Sequence, residues 1–241
     1  MSALEEAITT APVSEAAVYG AVDQVILKRF SCRSFSERLV PRSVIEEILQ
    51  LARFAPSGAN IQPWHVYVLA GQTKKHVSAA LLDAYRADPD QHISEYQYYA
   101  SDLPLPYLHR RHEFGRLFYG SLGVAQTDMV GRAAQTARNF TFFDAPVGMI
   151  VTMDRRLAAG SFLDLGMFIQ SVMLALVGRG LHSCPQETFA KYHRILRPLL
   201  SIPDEQFVVC GLSIGYAKHE ARPRLMPRSE LTEFACLSGF D

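Results

Sequence analysis

From Phe162 to Val177 the chain is apolar on most sides of any helix it could form. Such a helix cannot lie on a solvated surface, so this one belongs in a core or at an interface. Its uncharged part, Leu165 to Gly178, falls well short of the roughly 20 apolar residues that cross a bilayer. Two other apolar runs, Pro146 to Met153 and Phe207 to Ile214, are continuous and read as buried strands, the second ending at Gly215-Tyr216. With 241 residues and 49% hydrophobic content, the chain can bury one full core and still carry excursions.

Around this centre the sequence divides into a loose leader over 1–20 and one domain over 21–241. A short helix through Val22, Val25 and Ile26 leads to Arg29-Phe30-Ser31-Cys32-Arg33. Ser43-Val44-Ile45-Glu46 fits a capping box, and Val44, Ile48 and Leu51 continue one apolar face, predicting a helix at about 43–54. His65 to Leu69 alternates as a strand that Gly71 stops. Thr73 then caps a helix with Val77, Ala80, Leu81 and Ala84 inward. Residues 86–115, with several prolines and Tyr96, Tyr98, Tyr99 and Tyr107, form an excursion rather than a core layer. A helix from about Leu117 to Asn139 follows. Helices and strands are mixed, with some short hairpin-like connections, so the class is α+β.

Several function classes are excluded. The 24 basic and 24 acidic residues cancel, leaving no overall field for nucleic acid or an anionic membrane. The arginine-rich tail Arg222–Arg228 has little of the aromatic interleaving that single-stranded nucleic acid requires. Cys32, Cys184, Cys210 and Cys236 are dispersed without ligand spacing, so no metal site is expected and a reducing compartment is. The acidic N-terminus is unlike a secretory signal, and a cytoplasmic protein is expected. No GxGxxG loop follows a strand, which argues against a dedicated Rossmann domain. The cluster His109, Arg110, Arg111 and His112 reads as a solvated face.

Two segments carry chemistry. If Arg29 to Arg33 is extended, Arg29, Ser31 and Arg33 point to one side, because strand side chains alternate. Two guanidinium forks and a hydroxyl on one face suit a phosphate monoester. Ala55-Pro56-Ser57-Gly58-Ala59-Asn60-Ile61-Gln62-Pro63-Trp64 builds a stiff loop with open backbone, amide side chains and an aromatic anchor, suited to the edge of a flat polar-rimmed ring. Phosphate clamp and ring-edge loop together point to a flavin mononucleotide (FMN) site.

Four stretches, in order, resemble the FMN-dependent nitroreductase family from about residue 21 to 235. They are Arg29-x-Ser31-x-Arg33, Pro56-Ser57-x-x-Asn60-x-Gln62-Pro63-Trp64, Gly180-Leu181-x-x-Cys184-Pro185-Gln186, and Gly215-Tyr216 with its arginine-rich tail. The resemblance implies an intertwined homodimer with a central, mainly antiparallel sheet flanked by helices and two FMN sites at the subunit interface. Phe162–Val177 and Leu117–Asn139 compete for the role of interface helix, and the C-terminal segment extends over the partner. Each site then takes its clamp, Arg29, Ser31 and Arg33, from one subunit. Pro56, Ser57, Asn60 and Gln62 come in part from the other, with Ser57 or Gln62 nearest the flavin and Asn60 bracing the loop. Pro185, Gln186 and Glu187 meet the reactive ring edge through their backbone. Arg222 and Arg224 supply the second half of the clamp, although the tail departs from the commoner pattern of an Asn and a spaced arginine, which leaves Arg228 a rival. Tyr107 and Phe114 shape the acceptor pocket. Trp64 is a packing anchor or, with its ring near the flavin, a further wall.

The implied activity is ping-pong hydride transfer from NADH or NADPH through flavin N5 to a small-molecule acceptor such as a nitroaromatic or quinone. No protein side chain is required as acid or base. Two alternatives stay open. The same fold also serves reductive dehalogenases, flavin-consuming enzymes and azoline oxidases, and a flavin-binding protein without turnover would share every motif named.

Overall fold

A computed structural model describes residues 15–221 and 226–240, with backbone alone for residues 15–19. The elements in chain order are α1 (Glu15–Lys28), α2 (Arg42–Ala52), β1 (His65–Ala70), α3 (Gly71–Ala87), α4 (Leu105–Gly120), α5 (Met129–Ala137), β2 (Val147–Asp154), α6 (Gly160–Val177), β3 (His182–Gln186), α7 (His193–Leu200), β4 (Gln206–Gly215) and α8 (Leu231–Phe234). The class is α+β, as the mixed patterning implies.

The two apolar runs become the central strands of one sheet, ordered β1-β2-β4-β3 and antiparallel at every pairing. Both are covered on both faces, which is why neither shows polar alternation. One face packs on α2 and α6 through Ile45, Ile48, Met149, Val151, Leu165, Phe168 and Leu176. The other packs on α3 and α7 with an aromatic layer that includes Phe140, Phe142 and Phe189. Phe142 and Phe189 stack at 4.6 Å directly on the central strands. A Cβ at Gly148 would lie 2.6 Å from the Phe142 ring, and one at Gly211 would run into Phe189, so only glycine admits these rings.

Helix α6 is long and apolar enough to cross a membrane by length and composition alone. Instead Leu165, Phe168, Val172 and Leu176 bury one flank in the core. The other flank leaves Leu163 74% and Met167 38% exposed.

The structure corrects five expectations. The helix expected over Leu117–Asn139 is two helices. Gly120 ends α4, Gly123 turns the chain at φ +68°, and Asp128 caps α5 by accepting from the Gly131 N–H at 2.8 Å. Ser43 does not cap α2, which starts at Arg42 behind Pro41; Glu46 is drawn to Arg42 at 2.6 Å instead of closing a box. Thr73 does not cap α3, which begins at Gly71 with φ +54°. The leader is shorter than 20 residues, since α1 already runs from Glu15. Pro185 and Gln186, expected with Glu187 in a loop, instead end edge strand β3. The Ser183 carbonyl faces its outer side, and Pro185, two residues on, loses its N–H on that same unpaired side.

The excursion is docked, not free. The β2–β4 register slips past Val209, and the Val209 carbonyl accepts from the Tyr96 hydroxyl at 2.7 Å. Glu95, next to it, lies 3.0 Å from Arg155, 3.3 Å from His193 Nδ1 and 3.5 Å from Arg197. One carboxylate thus ties the excursion to the end of β2 and to α7.

Candidate functional site

Leaving α1, the chain runs extended beside β3. Ser31 bridges Ser183 in parallel, and the Cys32 N–H donates to the Ser183 carbonyl at 2.9 Å. Cys32 is fully buried and Phe30 packs on the His182 ring at 4.7 Å. Arg29, Ser31 and Arg33 are all partly exposed. Phe30 is partly exposed as well, and Cys32 alone of the five turns fully inward. Neither arginine pairs with a carboxylate among the described residues. The Arg33 guanidinium instead lies 4.9 Å over the Phe118 ring and donates to the Ser31 carbonyl at 3.2 Å, while Arg138 donates to the Arg33 carbonyl. Two unneutralised cations and a hydroxyl on one partly open ribbon form a donor set that fits a phosphate monoester.

Next to this ribbon, β3 delivers Pro185, Gln186 and Glu187. The Gln186 side chain is 3% exposed and spent internally. It donates to the Asn139 carbonyl at 2.9 Å and accepts from the Ser213 hydroxyl, so it braces the segment and does not face a ligand. Pro185 is exposed. Strand alternation turns the backbone of Glu187 to the same outer edge as the Ser183 carbonyl, the side where Arg29–Arg33 runs. Glu187 opens a 3-10 turn whose first N–H groups receive no side-chain cap. Burial pushes its carboxyl above the usual carboxylate range, with Lys191 opposing. Nearby Cys210 is wholly buried, its thiol pushed up to about 12, which leaves it without nucleophilic character at neutral pH.

The ring-edge loop is built with strain. Ala59, Asn60 and Gln62 all hold positive φ (48°, 57° and 52°) although none is glycine. Three bonds stabilise this shape. Ser57 Oγ accepts from the Gln62 N–H at 3.0 Å, the Asn60 N–H donates to the Ser57 carbonyl at 3.0 Å, and Asp164 on α6 accepts from the Gly58 N–H at 3.1 Å. Pro56, Asn60 and Gln62 are exposed and Ser57 partly so. Trp64 stacks on Phe168 at 4.8 Å and 8°, as a packing anchor would.

The loop and the clamp do not meet within one chain. The loop feeds β1 at one edge of the sheet, and the clamp borders β3 at the other. Three inter-strand spacings separate the edge strands and a fourth reaches the clamp ribbon, roughly 19 Å in all.

Of the remaining expected residues, Tyr107 is exposed with Arg110 beside its ring, and Phe114 stacks on Phe118. Neither lines the cavity that the excursion forms. That cavity, about 550 Å³, is lined by residues 93–99 with Arg111, Glu187 and Lys191. Arg222 and Arg224 lie outside the described residues. Arg228 donates to the Met226 and Pro227 carbonyls of its own turn. Sequence reasoning missed Asp164, although a single charge between Phe162 and Val177 was a signal available in the sequence. It also missed Glu95 and Phe118, which carried no such mark.

Comparison with known proteins agrees with this geometry. The sequence profile of the Nitroreductase family matches residues 26–216. A chloronitrobenzene nitroreductase of Comamonas testosteroni is 41% identical over 215 residues, covering 88% of this chain and 95% of the relative. A 4-nitrobenzoate reductase of Pseudomonas putida is 40% identical over 224 residues, covering 91% and 96%. Among solved structures, the FMN and NADPH-dependent nitroreductase NfnB from Sphigopyxis sp. strain HMH superposes with a TM-score of 0.87 at 37% identity, covering 91% of this chain and 99% of that one. A family profile spanning most of the domain, and relatives matched over nearly their whole length, settle the assignment: the chain belongs to the Nitroreductase family.

Proposed function

We propose that this protein is an FMN-dependent NAD(P)H oxidoreductase that reduces nitroaromatic compounds, working as a cytoplasmic homodimer. The observation that carries the reading is the ribbon Arg29–Arg33, whose two guanidinium groups meet no carboxylate among the described residues and which lies, with Ser31, along the strand that leads to Glu187. When bound, FMN supplies the transfer of a hydride from a nicotinamide donor to the acceptor. The chain's own groups hold and tune it. Arg29 and Ser31 are placed to take the phosphate and ribityl end, and Arg33 to set a positive charge beside the ring, which favours its reduced, anionic form. The Glu187 N–H offers a fixed donor to the ring edge, and a fixed backbone dipole needs no reorganisation during reaction. Pro56, Ser57, Asn60 and Gln62 of the partner copy close the site from the opposite sheet edge.

The reading is also supported by relatives with the names given above, which reduce both uncharged and carboxylated nitroarenes. Its test is direct. The purified protein should be yellow, bleach anaerobically with NADPH or NADH, and regain colour when nitrobenzene is added. A colourless preparation that FMN cannot reconstitute, or a flavin that neither nucleotide bleaches, overturns it.

A further inference from the structure

We propose that the cavity between the excursion and the Glu187–Tyr192 turn is an acceptor subsite for nitroarenes carrying an anionic substituent, with Arg111 and Lys191 holding that anion. The inference rests on the proposed nitroaromatic activity and deepens it. The cavity shares Glu187 with the segment expected at the ring edge, so a molecule seated in it borders the reaction centre. Its wall is aromatic. Tyr96, Tyr98 and Tyr99 form a chain of edge-on contacts at 6.4 and 4.7 Å, apolar enough to take a benzene ring. Its volume lies within the range of small-molecule sites.

The cavity is lined by two carboxylates, Glu95 and Glu187, and two cations, Arg111 and Lys191. Glu95 is engaged by Arg155, His193 and Arg197, so its negative charge is already answered. Burial raises the Glu187 carboxyl, while Lys191 opposes that shift. Arg111 and Lys191 have no carboxylate within ion-pair distance among the described residues. Arg111 is held in place by stacking 4.9 Å over the Tyr99 ring, which leaves the edges of its planar fork for a carboxylate. A stacked guanidinium and a neighbouring lysine beside an aromatic wall are what a ring with one carboxylate would be recognised by.

The experiment compares wild type with Arg111→Gln, Lys191→Gln and the double variant, all as FMN-loaded enzyme. Both side chains are exposed, so the fold is expected to tolerate the changes. In the double variant the KM for 4-nitrobenzoate should rise about tenfold, the effect of a charge-assisted contact partly screened by solvent. The KM values for nitrobenzene and NADPH should stay put, and Arg111→Lys should restore part of the loss. Equilibrium dialysis of 4-nitrobenzoate against the oxidised enzyme should show the same drop, falling further in high salt. Equal effects on both nitroarenes, or on neither, overturn the proposal. So does a rise confined to NADPH, which would assign the cations to a dinucleotide phosphate. If wild type reduces no nitroarene at all, the activity itself is refuted, while the dialysis still decides whether the cavity binds the carboxylated ring.

Discussion

Glu187 sits where the backbone of the expected ring edge meets the wall of the cavity, and its titration can be followed without any substrate. Burial is the larger influence and raises its carboxyl, with Lys191 pulling the other way. A carboxyl raised in the folded state keeps its proton longer than in the unfolded chain. Stability is therefore lost as pH climbs from the ordinary carboxylate range through the folded value, and the loss persists above it. Glu187→Gln removes that loss. At pH 7 to 8 the variant should melt slightly higher than wild type, on the order of 1 °C once solvent access is discounted. Below pH 4 the two should melt together. A variant that melts lower at neutral pH would show that the Lys191 attraction outweighs the burial cost.

Among elements, α6 does two tasks, and its one charged residue links them. Asp164 is 8% exposed, and its carboxylate fixes the Gly58 N–H of a loop that holds three non-glycine residues at positive φ. Without that anchor the loop should relax towards ordinary backbone. Asp164→Ala should then weaken FMN binding about fivefold, the worth of one hydrogen bond of roughly 1 kcal/mol, read by flavin fluorescence titration. Asp164→Asn keeps an acceptor and should recover most of the affinity. Equal loss in both variants would argue for a role of the charge itself. How much of this was legible in the sequence depended on the kind of signal. The central strands and α6 announce themselves because continuous apolar runs have no other place to go. The proposed clamp rests on Arg29, Ser31 and Arg33 falling on one side of an extended segment. The break after Gly120 was obscured by helical patterning on both sides of it, and β3 by Pro185, tolerated only because its missing N–H falls on an unpaired edge. That the Gln186 side chain is a brace was not legible, since the sequence cannot show that Asn139 and Ser213 fold up beside it.

For the molecule as a whole, two facts point to a second copy. The clamp and the ring-edge loop stand at opposite edges of one sheet, and only 44% of α6 is buried within a single chain. The uncovered flank runs through Leu163 and Met167, one helical turn apart. If this flank packs on its own copy, the two-fold interface would bring the loop of each copy towards the clamp of the other. Leu163→Glu places a charge in that interface with no counter-charge opposite. The dimer dissociation constant should rise by well over tenfold, each tenfold being about 1.4 kcal/mol. Sedimentation velocity at micromolar concentration should then show monomer, and FMN should be lost in the same dilution range, because each site would lack the loop from its partner. A monomer that kept its flavin would place the whole cofactor site within one chain, contrary to the geometry of the sheet. A variant that stayed dimeric with full flavin content would move the interface away from α6.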